Sequence, residues 1–173
     1  VDGDTKVLVD FKAEKEAERW RIINDGVMGG LSRSGLEITS PVVAVFAGDV
    51  SLENNGGFAS VRRLPDDYEL SGYGGVLLRV RGDGRTYQFR VRTSERFDDV
   101  SYRAEFLTRP GDWLTARIPF SSMKPTFRGR PVPSAPPLRP EDIRQIGFLI
   151  RDGRDGDFRI EIDWVKAYRG LTQ

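Results

Sequence analysis

The sequence predicts an all-β fold, an antiparallel β-sandwich, and three observations carry that prediction. Most of the chain alternates apolar and polar residues with period two, the pattern of half-buried strands. Clusters of Gly, Pro, Asp and Asn, such as Arg81-Gly82-Asp83-Gly84, interrupt the alternation at short intervals. Helical patterning is confined to two brief stretches. Many short strands divided by such turns bury their apolar faces by packing as two sheets.

The elements follow in chain order. Glu14 to Ile22 has room for one or two helical turns, and strand candidates follow at Val42 to Ala47 and Ala59 to Arg63. Val76, Leu78 and Val80 alternate with Leu77, Arg79 and Arg81; Tyr87, Phe89 and Val91 alternate with Gln88, Arg90 and Arg92. Ser101 to Thr108 and Trp113 to Pro119 continue the series. Pro125, Pro131, Pro133, Pro136, Pro137 and Pro140 then crowd one segment, which predicts a long extended connection over the surface rather than sheet. Pro140-Glu141-Asp142-Ile143 has the proline and acids that suit a helix N-terminus. Gln145 to Arg151 and Phe158 to Trp164 complete the set. Trp164 is in phase with Phe158, Ile160 and Ile162, which assigns it to the core, whereas Trp113 opens its strand and is assigned to neither face.

At 173 residues the chain is expected to form one domain, residues 1–173, with a core that needs no disulfide or metal staple. No apolar stretch approaches the roughly 20 residues that cross a bilayer as a helix. With 27 basic and 26 acidic residues the net charge is +1, so no global attraction to nucleic acid or anionic lipid is expected. Cysteine and histidine are both absent, which removes disulfides, thiolate nucleophiles, histidine-based triads and the usual zinc sites. The chain starts at Val1 with no signal-peptide pattern, so a trimmed or processed product, soluble and cytoplasmic, is expected.

Two glycine-rich polar runs stand out. In Asn24-Asp25-Gly26-Val27-Met28-Gly29-Gly30, Asx side chains beside glycines suit a tight turn, while Asn24 and Asp25 also suit a polar partner with Met28 as an adaptable apolar contact. In Glu53-Asn54-Asn55-Gly56-Gly57-Phe58, Asn55-Gly56 alone is explained by a hairpin turn. Glu53, Asn54 and Phe58 are not required by one, and they suit hydrogen bonding and stacking on a sugar or peptide. Arg62, Arg79, Arg81, Arg90, Arg92, Arg103 and Arg117 lie on polar strand faces. Either they are solvated and balanced by Glu95, Glu105 and Glu161, or several share one face with Tyr87 or Tyr102 as an anion or partner groove. Asp152-Gly153-Arg154-Asp155-Gly156-Asp157 lacks EF-hand spacing and is expected to be a polar turn, not a metal site. The one catalytic option is a carboxylate pair such as Asp25 with Glu53, whose separation the sequence does not fix.

The runs Asp25-Gly26-Val27-Met28-Gly29-Gly30-Leu31-Ser32 and Asn54-Asn55-Gly56-Gly57-Phe58-Ala59-Ser60-Val61-Arg62 resemble the signature of the complex I intermediate-associated protein 30 family. The similarity continues through Trp113 to Phe120, Phe127-Arg128-Gly129, Ile146 to Ile150, Gly156-Asp157-Phe158 and Ile162-Asp163-Trp164. It implies a galactose-binding-domain-like jelly roll that acts as an assembly factor or chaperone and not as an enzyme. On that resemblance the expected partner is a protein, with respiratory-complex subunits foremost, held through Asn24, Asp25, Met28, Glu53, Asn54, Asn55, Phe58 and Arg62. No cofactor is expected, since a Gly-x-Gly-x-x-Gly fingerprint after a strand is missing. A carbohydrate-binding module, with Trp20, Trp113 and Trp164 as stacking platforms, is the alternative; a carboxylate-dependent glycoside hydrolase ranks third.

Overall fold

The computed structural model describes residues 5–13, 15–24, 31–39, 43–53, 57–96 and 99–169. Its strands are β1 (Thr5–Asp10), β2 (Trp20–Ile22), β3 (Arg33–Ile38), β4 (Ala44–Val50), β5 (Ala59–Arg63), β6 (Tyr73–Arg81), β7 (Thr86–Arg92), β8 (Ser101–Leu107), β9 (Trp113–Pro119), β10 (Lys124–Phe127), β11 (Arg130–Pro131), β12 (Gln145–Ile150) and β13 (Gly156–Arg169). Short 3₁₀ turns occupy Glu16–Arg19, Phe120–Ser122 and Pro140–Asp142, and no α-helix occurs among the described residues.

Two antiparallel sheets face each other. One is six-stranded, ordered β3-β4-β13-β6-β9 with β1 also paired to β13; the other is seven-stranded, ordered β11-β10-β8-β7-β12-β5-β2. The predicted alternation decides what lies between them. Val76, Leu78 and Val80 of β6 and Phe158, Ile160 and Ile162 of β13 meet Tyr87, Phe89 and Val91 of β7 and Ile146, Phe148 and Ile150 of β12 in one buried cluster. Aromatic rings link up through this core. Phe11 lies 5.5 Å from Trp20, Trp20 6.2 Å from Phe148, and Phe148 6.4 Å from Phe106, which leads through Tyr87 and Phe158 to Phe46. Tilted, stacked and edge-on pairs of this kind add to the burial term that drives the two layers together.

Three differences from the sequence reading have physical causes. Trp164 is not in the core. The register of β13 slips between Ile162 and Trp164, so Asp163 is an extra residue and everything after it changes face; Val165 and Ala167 now point inward and Trp164 outward. Strands β1 and β3 lack the alternation that marked the others. A register shift in β1 leaves Leu8 and Val9 both buried, and in β3 only Leu36 packs on the core. The proline-rich segment begins as sheet, because β10 and β11 form the edge hairpin of the seven-stranded sheet, where Pro125 and Pro131 are tolerated. The stretch beyond it is an extended connection with a 3₁₀ turn at Pro140.

Candidate functional site

The outer face of the seven-stranded sheet gathers arginines that are remote in sequence. Register sets Arg21 opposite Arg62, Arg62 opposite Gly147, Gly147 opposite Arg90, Arg90 opposite Arg103 and Arg103 opposite Lys124. One row crossing the strands therefore holds cations at every position but the glycine. On one side the next row is Ser60, Leu149, Gln88 and Glu105; on the other it is Gln145, Arg92, Ser101 and Thr126. Like charges directly opposite on a sheet cost stability, so this is not the arrangement that packing alone would select.

Gly147 and Arg90 give the row its shape. A Cβ on Gly147 would lie 2.6 Å from the Val61 carbonyl oxygen, a contact that β5 backbone cannot relieve, so no side chain fills this position. The result is a notch of about 20 Å³ walled by Arg62, Arg90, Arg92 and Gln145. Beside it a wider groove of about 200 Å³ lies between Arg90, Arg103, Glu105, Thr126, Gly129 and Arg151. Arg90 belongs to both, donating from Nε to Gln88 Oε1 at 2.9 Å and from Nη1 to Ser101 Oγ at 3.0 Å. Burial, with Arg92, Arg103, Arg151 and Arg62 adding repulsion, pushes its pKa down to about 9. Among the described residues Glu105 lies 3.6 Å from Arg103, Asp99 interacts with Arg92, and Glu95 stands at the rim. The Arg21 end of the row opens into a mostly apolar groove of about 360 Å³ formed by Ile22, Ile23, Leu64 and Pro65 beside Arg62 and Arg63. Ile22 and Leu64 are exposed there.

The described residues that flank both glycine-rich runs meet at one end of the sandwich. Ser51 N donates to Ser32 Oγ at 2.9 Å, and Asn24 Oδ1 accepts from Ser34 Oγ at 2.8 Å in one sheet and from Ser60 N at 3.3 Å in the other. Leu52 N donates to Asp155 Oδ1 at 2.7 Å, which brings the β12–β13 connection to the same place.

Residues 9–162 match the family described as Complex I intermediate-associated protein 30. The chain belongs to that family. It is 30% identical to the mitochondrial complex I intermediate-associated protein 30 of Drosophila melanogaster over 94% of this chain and 62% of the relative, and 28% identical to that of Mus musculus over 94% and 56%. The chain thus spans little more than half the length of these relatives. In backbone it is similar to the family 11 carbohydrate-binding module of a cellulosomal cellulase of Clostridium thermocellum, with TM-score 0.75 at 17% identity over 98% of this chain and 96% of the module. That likeness shows the jelly-roll fold.

In this complex I intermediate-associated protein 30 family member, the residues expected to touch a partner fall into distinct places. Asn24 is spent on tying the two sheets together, Glu53 is exposed, Phe58 is half-buried, and Arg62 stands in the cationic row. Asp25, Met28, Asn54 and Asn55 lie outside the described residues, and with them the pairing of Asp25 with Glu53. Of the strand-face arginines, Arg62, Arg90, Arg92 and Arg103 share one face, whereas Arg79, Arg81 and Arg117 lie on the other sheet. Tyr87 and Tyr102 turn into the core rather than joining the arginines. Arg21, Lys124 and Arg151 were not foreseen. A signal that could have pointed to their neighbourhood is Gly147, a glycine inside the apolar run Ile146 to Ile150.

The Asp152 loop is folded around a guanidinium. Arg85 donates to both Asp152 oxygens at 2.9 and 2.6 Å and to the carbonyls of Arg154, Gly156 and Asp157, so a side chain supplies the positive charge that the loop's oxygens gather around. These bonds hold the Asp152 carboxyl below its ordinary pKa. Among the described residues no group of acids is placed to hold a metal ion. Trp20 is buried, with its Nε1 donating to Glu16 Oε2 at 2.9 Å. Trp113 and Trp164 are half-buried on the outer face of the six-stranded sheet, and Arg81 and Lys166 lie 5.1 and 4.2 Å over their rings.

Proposed function

We propose that this chain is a non-catalytic binding domain that holds a protein partner during assembly of a respiratory complex, as the names of its relatives suggest for them. The observation that carries this reading is the apolar groove of Ile22, Ile23, Leu64 and Pro65, rimmed by Arg21, Arg62 and Glu95. An apolar patch with a polar rim is what a protein partner buries. Through Ile23 this groove adjoins the flanks of the glycine-rich runs, whose Asn24, Asp25, Met28, Glu53, Asn54, Asn55 and Phe58 complete the contact surface in this reading.

A pull-down from native membranes and cytosol compares the intact chain with Leu64→Asp and Asn55→Ala, each first shown to keep the wild-type melting temperature. Recovery of complex I subunits by the intact chain and their loss in both variants is the expected result. Recovery that neither variant reduces would move the contact off this surface, and an absence of respiratory subunits would defeat the assembly role.

A carbohydrate-binding role draws on the outward position of Trp113 and Trp164. It is the weaker reading, because cations already lie over both rings and a sugar would have to displace them. A glycan array tests it directly: retention of a neutral oligosaccharide that Trp164→Ala abolishes would favour it over a protein partner.

A further inference from the structure

We propose that the cationic row on the seven-stranded sheet is a docking groove for an acidic protein segment, laid across the strands and anchored by one carboxylate in the Gly147 notch. This rests on the reading of the chain as a protein-binding domain and specifies its partner. Charge complementarity is the ground. A chain of net charge +1 concentrates Arg21, Arg62, Arg90, Arg103 and Lys124 in one cross-strand row, with Arg92 and Arg151 flanking it. Such a row presents a positive face that an acidic segment complements.

Geometry selects the kind of anion. Neighbouring strands lie about 4.8 Å apart, so the row from β2 to β10 spans roughly 24 Å, the reach of about seven extended residues at ~3.3 Å each. Guanidinium forks suit carboxylates, which they grip in pairs of parallel hydrogen bonds. The notch of about 20 Å³ between Arg62 and Arg90 admits one water-sized group, such as a carboxylate oxygen. Single-stranded nucleic acid and sugars use aromatic platforms as well as charge. Neither row flanking the cations carries an aromatic side chain. At its Arg21 end the row meets the apolar groove of Ile22 and Leu64, so an acidic segment followed by an apolar residue fits the surface along its length.

The test is fluorescence anisotropy of the purified chain with a labelled octaglutamate peptide at low ionic strength, octaglutamine serving as the neutral control. The expected result is saturable binding of octaglutamate alone, weakened roughly tenfold or more by the Arg62→Gln/Arg103→Gln pair or by Arg90→Gln alone. Arg79→Gln/Arg117→Gln, on the opposite sheet, should leave it unchanged. Circular dichroism and melting temperature establish that each variant is folded, and the single variant stands in if the pair is not. No binding of octaglutamate, equal loss from either face, or tighter binding of a heparin hexasaccharide or a single-stranded oligonucleotide to the same residues would overturn the proposal. A pull-down empty of respiratory subunits would leave this measurement standing, so the two readings fail separately.

Discussion

Arg62 and Arg63 are neighbours in β5, yet they sit in opposite electrostatic worlds. Arg63 points inward and is buried against Glu16, with Nε 2.7 Å from Oε2, while its Nη1 donates to Tyr68 Oη at 2.9 Å. Arg62 points outward into a row whose cross-strand neighbours are Arg21 on one side and, past Gly147, Arg90 on the other. The first arginine is paired with an acid inside the core, and its role ends in the fold. The second stands on an outer face in a row of cations. A face that gathers like charge attracts opposite charge on another molecule.

The comparison predicts its largest effect at the inner arginine. Glu16→Ala leaves the Arg63 guanidinium buried without its main acid, and Trp20 Nε1 without its acceptor, so denaturant unfolding should show a loss of about 3–5 kcal/mol. Replacing the pair together, as Glu16→Leu/Arg63→Met, should recover much of that loss, because no uncompensated charge remains. A Glu16→Ala variant as stable as wild type would break the distinction between the two arginines.

Arg85 is the second inner arginine and comes next. Arg85→Ala removes the ion pair with Asp152 and the anchors of the loop carbonyls, for a loss of about 2–4 kcal/mol. This contribution has a pH signature. Arg85 lowers the Asp152 pKa below the ordinary 3.8, so the stabilisation is fully present above that value and is lost as pH falls through the lowered one. The gap in melting temperature between the wild type and Arg85→Ala should narrow as pH falls through the Asp152 pKa and widen above it, the lost carbonyl bonds leaving a remainder at low pH.

Gly147→Ala bridges the two classes. Its new Cβ would stand 2.6 Å from the Val61 carbonyl oxygen, so β5 and β12 must move apart, at about 1–3 kcal/mol by chemical denaturation. Because the same methyl enters the notch, octaglutamate affinity should fall even at temperatures where the variant is fully folded. Wild-type affinity in a destabilised but folded Gly147→Ala chain would separate the notch from binding.

Much of the fold was legible, and chiefly for one reason: in β6, β7 and the first half of β13 the apolar side chains line one buried face, so alternation reports it directly. Trp164 shows where that signal fails. One inserted residue, Asp163, reverses every later side chain without leaving a compositional mark, and a periodic reading carries straight through it. The cationic row was illegible for a different reason. Alternation places Arg90 and Arg79 alike on outer faces, but which sheet each strand joins depends on pairing between segments as distant as Arg21 and Lys124. The glycine-rich runs were visible as unusual, and Asn24 proved to be a tie between sheets, a role that needs Ser34 and Ser60 brought together by the fold.

The smallest effect in stability is the most informative about the row. Arg90→Gln gives up charged hydrogen bonds to Ser101 and Gln88 but also ends the repulsion from Arg62, Arg92, Arg103 and Arg151. These changes oppose each other, and the net shift should stay within about 1 kcal/mol. Two dependences expose what the net value hides. Salt screens like charges on the half-exposed row, so raising it should lift the wild-type melting temperature more than that of Arg90→Gln. With its pKa down near 9, Arg90 carries its charge at a cost below that pH, and above it the unfolded chain, whose arginine stays protonated, holds more protons than the folded one. Wild-type stability should therefore gain on the variant as pH rises from about 8 to 10. Parallel salt and pH curves for the two proteins would mean that solvent already balances the row, and the case for an acidic partner would lose its physical basis.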